Sequence, residues 1–177
     1  MSKEKPMSKA CVCVTGSTQG IGFAIAEAFA RQGARLVINS HLPDAGARAR
    51  LETLTECHFI QSDLSRAEGA RYLVEAAHQA LGRLDTLVNN AGTFLDSEFL
   101  SLTEETFDRT FNLNVKAYLF AAQAFVRHLA PGQQGASIIC VGSTNSVSAE
   151  PGSVVYDASK GAVAMLIKSL AVALAGR

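Results

Sequence analysis

Apolar residues along this chain gather into short, nearly continuous runs, each followed by a longer stretch in which they recur every three or four positions. The runs cover 10–15, 34–39, 57–61, 84–89 and 136–142. Strand followed by helix, repeated, predicts βαβ units and a parallel sheet. The centres of the runs, VCV, LVI, LVN and SIICV, do not alternate with polar residues as a half-exposed antiparallel sheet would. Helices must therefore cover both faces, and the expected fold is a doubly wound α/β domain of five parallel strands.

Helix signals fit this frame. Ser65 with Glu68 reads as a capping box, Asp44 can cap the second helix, and Thr103 with Glu104 and Glu105 opens a long fourth one. Phe107, Phe111, Tyr118 and Phe125 mark an inward stripe on that fourth helix. Val163, Ile167, Leu170 and Leu174 mark another on the last. Residues 1–9 read as a flexible tail, and residues 10–177 as one domain.

Composition narrows the function. A chain of 177 residues buries about two-thirds of its unfolded surface, enough for one core. Lys and Arg number 16 against 16 Asp and Glu, with no basic block, so neither a nucleic acid nor an anionic membrane is the expected partner. No run is long enough to span a bilayer and the N-terminus has no apolar leader, so a cytoplasmic protein with a small-molecule partner is expected. Cys11, Cys13, Cys57 and Cys140 form no CxxC pair and read as reduced core thiols. The histidines show no ligand spacing, so no metal is expected.

In a parallel sheet all strands end on one side, and ligands bind at those carboxyl ends where the strand order reverses. The residues after each run are small, polar or glycine: Gly16, Ser17, Thr18, Gln19, Gly20, Ile21 and Gly22; then Ser40 and His41; Asp63 with Leu64; Asn90, Ala91 and Gly92; and Ser143. A glycine-rich turn opening a helix at residues 21–32 turns backbone N–H groups and the helix dipole toward an anion, a natural place for a pyrophosphate.

Two polar placements stand out. Asn114 lies on the stripe of the fourth helix, where an amide costs energy unless hydrogen-bonded; by itself it reads best as a structural tie to a neighbouring loop. On the last helix, Lys160 and Tyr156 continue the buried line back to the helix start, at i+4 and i. Tyrosine is a poor base near neutrality, and a neighbouring cation stabilises its phenolate. The pair therefore points to acid–base chemistry on an alcohol or carbonyl.

TGSTQGIG (15–22), the SDLS stretch around Asp63, NNAG (89–92), NLNV around Asn114, and Ser143 followed thirteen residues later by YDASK (156–160) together resemble the short-chain dehydrogenases/reductases, from about Lys9 onward. The resemblance implies a Rossmann-like fold and an NAD- or NADP-linked oxidoreductase interconverting a carbonyl and a secondary alcohol. It implies Tyr156 as the acid/base, Lys160 favouring its phenolate and holding the nicotinamide ribose, Ser143 bonding the substrate oxygen, and Asn114 supporting a water in the proton relay. Asp63 would meet the adenine, and Asn90 to Gly92 would line the cofactor's path. NADP is the expected cofactor, with NAD possible: Ser40 and His41 stand where an acidic side chain would repel a 2′-phosphate, although Gln19 fills a position often basic in the family's NADP users. A homo-oligomer, dimer or tetramer, is implied for the full-length form.

The family continues past the Tyr-Lys helix with further strands and a substrate-binding segment, so these 177 residues read as truncated, with the strand at 136–142 left as an apolar edge. Phe94, Asn145, Val147 and Val155 are the substrate-lining candidates that remain. The substrate expected is 3-oxoacyl-like, sugar-like or a simple alcohol. The alternative is a cofactor-binding fragment, catalytically impaired and prone to associate.

Overall fold

Parallel pairing orders the five strands β3-β2-β1-β4-β5. In the computed structural model, which describes residues 10–95 and 98–175, these are β1 (Cys11–Val14), β2 (Arg35–Ser40), β3 (Cys57–Gln61), β4 (Thr86–Asn89) and β5 (Ser137–Cys140). The helices are α1 (Gly20–Arg31), α2 (Ala47–Glu52), α3 (Ala67–Leu81), α4 (Glu104–Phe111), α5 (Ala117–Arg127) and α6 (Val154–Leu174). The expected tail at 1–9 lies outside the described residues.

The continuous apolar runs are explained by burial on both faces. Val12, Val14, Leu36, Ile38 and Val88 pack against Phe23, Ala26 and Ala30 of α1 and Leu51 of α2. Their neighbours Cys11, Cys13, Val37 and Leu87 point the other way, into a core with α3, α5 and Val163 of α6. Fully burying a large apolar side chain contributes about 1.5–3 kcal/mol, so substitution on either face is costly. Burial pushes the Cys13 and Cys57 thiols up to about 12.

Capping follows the sequence at two helices and departs from it at a third. Asp44 accepts the N–H groups of Ala47 and Arg48 at 2.9 and 3.2 Å, and Thr103 accepts that of Thr106 at 3.1 Å. The Ser65–Glu68 box does not form. Extended Arg66 precedes α3 with no side-chain cap, and the Ser65 N–H instead donates to Asp63 Oδ1 at 2.9 Å, closing a turn before the helix starts.

The fourth helix is not one helix. A π turn at Asn112–Lys116 separates α4 from α5. One extra residue per turn advances the helical phase by about 100°, so the aromatic stripe splits. Tyr118 and Phe125 are fully buried, whereas Phe107 is 47% exposed and stacks on Phe111 with centroids 4.4 Å apart. On α6, Val163 is fully buried, but Ile167 is 40% exposed and Leu170 and Leu174 are half-buried. These three, with Ile138 and Cys140 of β5, line a groove of about 680 Å³. Among the described residues β5 pairs with β4 alone, so it is the edge of the sheet. No described helix is long and apolar enough to cross a membrane.

Candidate cofactor crevice and active site

Between β1 and β4 the strand order reverses, and there the glycine turn meets the loop after β4. Gly16 adopts φ 58°, and a Cβ on it would stand 2.8 Å from Ala91 Cα; a Cβ on Gly22 would collide with the Gly16 carbonyl and the Asn90 amide. Both contacts require glycine, so the two loops pack backbone to backbone. The Asn90 amide donates to the Thr15 and Gly16 carbonyls, both at 3.0 Å, while the Thr15 hydroxyl accepts the N–H groups of Asn90 and Ala91 at 2.8 and 2.9 Å.

Ser17 is fully buried; its hydroxyl donates to the Val14 carbonyl and accepts the Asn39 N–H, so it holds the turn's shape. Asn39 went unnoticed at the end of the LVIN run. Its Oδ1 accepts the Gly16 N–H at 3.3 Å and its amide donates to the Ile60 and Ser62 carbonyls at 3.1 and 3.2 Å, tying the ends of β1, β2 and β3. The available signal was an amide closing an otherwise apolar strand.

These loops enclose a crevice of about 690 Å³. Gly16, Thr18, Gln19, Ile21 and Gly22 form its floor, Ser40 and His41 one wall, Asp63 and Leu64 the next, and Asn90, Ala91, Gly92 and Thr93 the side toward α6. Ser17 and Gly20 are absent from this lining. Arg109 of α4, with Leu113 one turn later, supplies a wall that the sequence reading missed. The Ser40 hydroxyl accepts the Leu42 N–H at 3.0 Å, and the His41 carbonyl accepts from Gln61 at 2.9 Å. Burial works to raise the Asp63 carboxyl, but hydrogen bonds from Ser65 and electrostatic attraction from the His41 and Arg66 side outweigh it and hold it below the usual carboxylate range.

α1 starts at Gly20 with no side-chain cap on Gln19 and no acidic residue in its first turn. Its leading N–H groups and positive dipole end are thus available to an anion. A helix start of this kind, beside a turn whose glycines pack directly on the loop after β4, fits the pyrophosphate of a dinucleotide.

From Gly92 the chain leads to Tyr156. Phe94 meets Tyr156 edge to face, with centroids 4.8 Å apart. Asn114, fully buried in the π turn, accepts the Thr93 N–H at 2.8 Å and donates to the Thr93 carbonyl and Ser159 hydroxyl, both at 3.0 Å. Its side chain is the structural tie, linking the loop after β4 to α6. Lys160 is only 4% exposed; its Nζ donates to the Val141 carbonyl at 3.1 Å and lies 5.7 Å from the Tyr156 ring centre. Burial pulls the lysine below its usual range, opposed by the Cys140 sulfur. Ser143, three residues past β5, caps a short 3-10 turn at residues 144–146, and the hydroxyl of Ser146, the last residue of that turn, donates to the Lys160 carbonyl at 3.0 Å. Of the substrate-lining candidates, Phe94 borders Tyr156, Asn145 and Val155 are buried, and Val147 is 93% exposed.

Residues 10–177 match the family model described as short chain dehydrogenase. The chain belongs to the short-chain dehydrogenase/reductase family. An uncharacterised oxidoreductase of Methylorubrum extorquens is 43% identical over 168 residues, which is 93% of this chain and 66% of the relative. The NADP-dependent (R)-specific alcohol dehydrogenase of Lentilactobacillus kefiri is 33% identical over 161 residues, 90% of this chain and 64% of that protein. The crystal structure of a short-chain dehydrogenase from Burkholderia cenocepacia in complex with NADP matches with a TM-score of 0.91 at 34% identity, covering 98% of this chain and 71% of the other. The chain spans just under two thirds of the length of the curated relatives it matches.

Proposed function

We propose that this chain carries the cofactor site and reacting groups of an NAD(P)-dependent oxidoreductase that interconverts a carbonyl and a secondary alcohol, with NADP preferred. The observation that carries the reading is the junction of crevice and reacting groups: the Gly92–Phe94 loop lines the crevice, touches Tyr156 and is tied through Asn114 to α6. The bound nicotinamide supplies or accepts the hydride at the substrate carbon. In the reductive direction the Tyr156 hydroxyl gives its proton to the oxygen that becomes the alcohol, and the Ser143 hydroxyl donates a hydrogen bond to that oxygen as charge develops on it. Lys160, held at the Val141 carbonyl, presents its cation beside Tyr156 and so favours the phenolate left behind. The NADP-bound Burkholderia structure and the NADP-dependent name of the Lentilactobacillus relative support the cofactor. The substrate class is a 3-oxoacyl, sugar or simple alcohol compound.

Tyr156→Phe tests the reading. It removes the transferable proton with little change in packing, so carbonyl-dependent NADPH oxidation should fall about a hundredfold or more with cofactor affinity kept. Residual turnover within about tenfold of the unaltered chain would remove Tyr156 from the acid–base role. A second reading, cofactor binding with impaired turnover, is favoured by the half-covered face of α6 along the β5 groove. Tight NADPH binding with no turnover on any carbonyl would select it.

A further inference from the structure

The turn that carries Ser143 is linked to α6 by hydrogen bonds from its side chains. The Ser143 hydroxyl accepts the Asn145 N–H at 3.1 Å and donates to Asn145 Oδ1 at 3.2 Å. Asn145, 9% exposed, in turn donates through Nδ2 to Asp157 Oδ1 at 2.6 Å, and Asp157 Oδ2 accepts the Glu150 N–H at 3.1 Å. Asp157 directly follows Tyr156. A continuous hydrogen-bonded path therefore runs from the Ser143 hydroxyl to the α6 turn that carries Tyr156.

We propose that Asn145 and Asp157 form a positioning clamp that holds the Ser143 hydroxyl in register with Tyr156. The clamp rests on the oxidoreductase reading, since it acts through Ser143 and Tyr156. Ser143 and Tyr156 come from separate elements, a turn after an edge strand and a helix start, so nothing in local backbone geometry sets their spacing. The clamp links them at Ser143 itself, beside the Ser146–Lys160 and Lys160–Val141 bonds that join the same segment to α6. In the substrate-free chain the hydroxyl proton rests on Asn145 Oδ1. A substrate oxygen takes that proton's hydrogen bond by rotation of the hydroxyl alone, because the Asn145 N–H keeps the serine oxygen in place. Asp157 keeps the amide oriented with its oxygen toward Ser143, since only Nδ2 can donate to a carboxylate. The Asn145 bond, against a smaller effect of burial, holds the Asp157 carboxyl below the usual carboxylate range, so it is an acceptor at neutral pH.

The test is a set of single and paired substitutions in the unaltered 177-residue chain. Asp157→Ala removes the anchor, and Asn145→Asp sets two carboxylates against each other. Each should lower kcat for carbonyl reduction about tenfold to a hundredfold, the loss expected of a misplaced reacting group, with NADPH affinity unchanged within about twofold. The exchange Asn145→Asp with Asp157→Asn restores a donor–acceptor chain of reversed polarity and should return kcat to within about threefold. Normal kcat in both single variants overturns the clamp. So does an equal loss of cofactor affinity, or an exchange variant as slow as the singles. A chain without turnover before any substitution counts against the oxidoreductase reading, and the clamp is then decided by amide exchange. Asp157→Ala should speed exchange of the Asn145 N–H while β1 amides keep their protection; an unchanged Asn145 rate overturns it.

Discussion

Ser40 and His41 sit at the end of β2 on the wall of the crevice, where a dinucleotide's adenosine ribose is recognised in this kind of sheet. Neither is acidic, so a 2′-phosphate there meets no repulsion. Ser40→Asp would place a carboxylate at that wall, and two like charges about 4 Å apart repel by between about 1 and 4 kcal/mol across the range from water to a protein surface. The NADP dissociation constant should therefore rise about fivefold or more, with that for NAD unchanged or lower. Tighter NAD than NADP binding in the unaltered chain, by fluorescence titration, would contradict the assignment. At this scale much of the site was legible. The glycines, Asp63, the NNAG loop and Tyr156 with Lys160 stand out because each breaks the apolar pattern at a position the fold makes special. Arg109 and Asn39 did not stand out, because an arginine on a charged helix and an asparagine ending a strand look ordinary until a distant loop is brought against them.

Among elements, β2 and β3 are joined at their starts by more than the ladder. Arg35 grips Glu56 through two bonds of 2.7 Å and reaches the Leu81 carbonyl at the end of α3 at 2.8 Å. Arg35 chiefly, with His58, holds the Glu56 carboxyl down at about 2. An unfolded glutamate titrates near 4.3, so the pair's stabilisation is complete above that pH and is lost as pH falls toward about 2, where folded and unfolded states bind the proton alike. Both side chains are substantially exposed, which keeps the effect small. Urea midpoints measured from about pH 5 down to pH 3 should drop in the unaltered chain, and Glu56→Gln should remove part of that slope. Equal slopes would mean that the pair does not act in solution. The π turn belongs to this scale too. Phe107 and Phe111 have ideal spacing for a buried stripe, but the extra residue that seats Asn114 between Thr93 and Ser159 puts the stripe out of phase, leaving Phe107 exposed and Phe111 half-buried. Periodicity assumes a constant helical phase and cannot register a local change of winding.

For the whole molecule, the decisive feature is the side of β5 that no described strand pairs. Ile139 is 44% exposed there, and the groove beside it continues along Ile167, Leu170 and Leu174. A flat apolar strand with one open ladder pairs readily with another chain. Sedimentation velocity should show mass rising with concentration, and Ile139→Lys, which sets a charge on the edge, should reduce it. A monomer at every concentration would contradict this. The sequence alone determined that strands alternate with helices, that the sheet is parallel and covered on both faces, and which loops after β1 to β4 meet at the crevice. Those properties follow from burial and chain stiffness, which act over a few neighbouring residues. Tertiary structure alone decided that Asn114 lies between Thr93 and Ser159, that Arg109 walls the crevice, and that Asn145 reaches Asp157. Each depends on two segments meeting at hydrogen-bond distance, and such a meeting is set by the packing of the whole sheet rather than by the residues on either side in the chain.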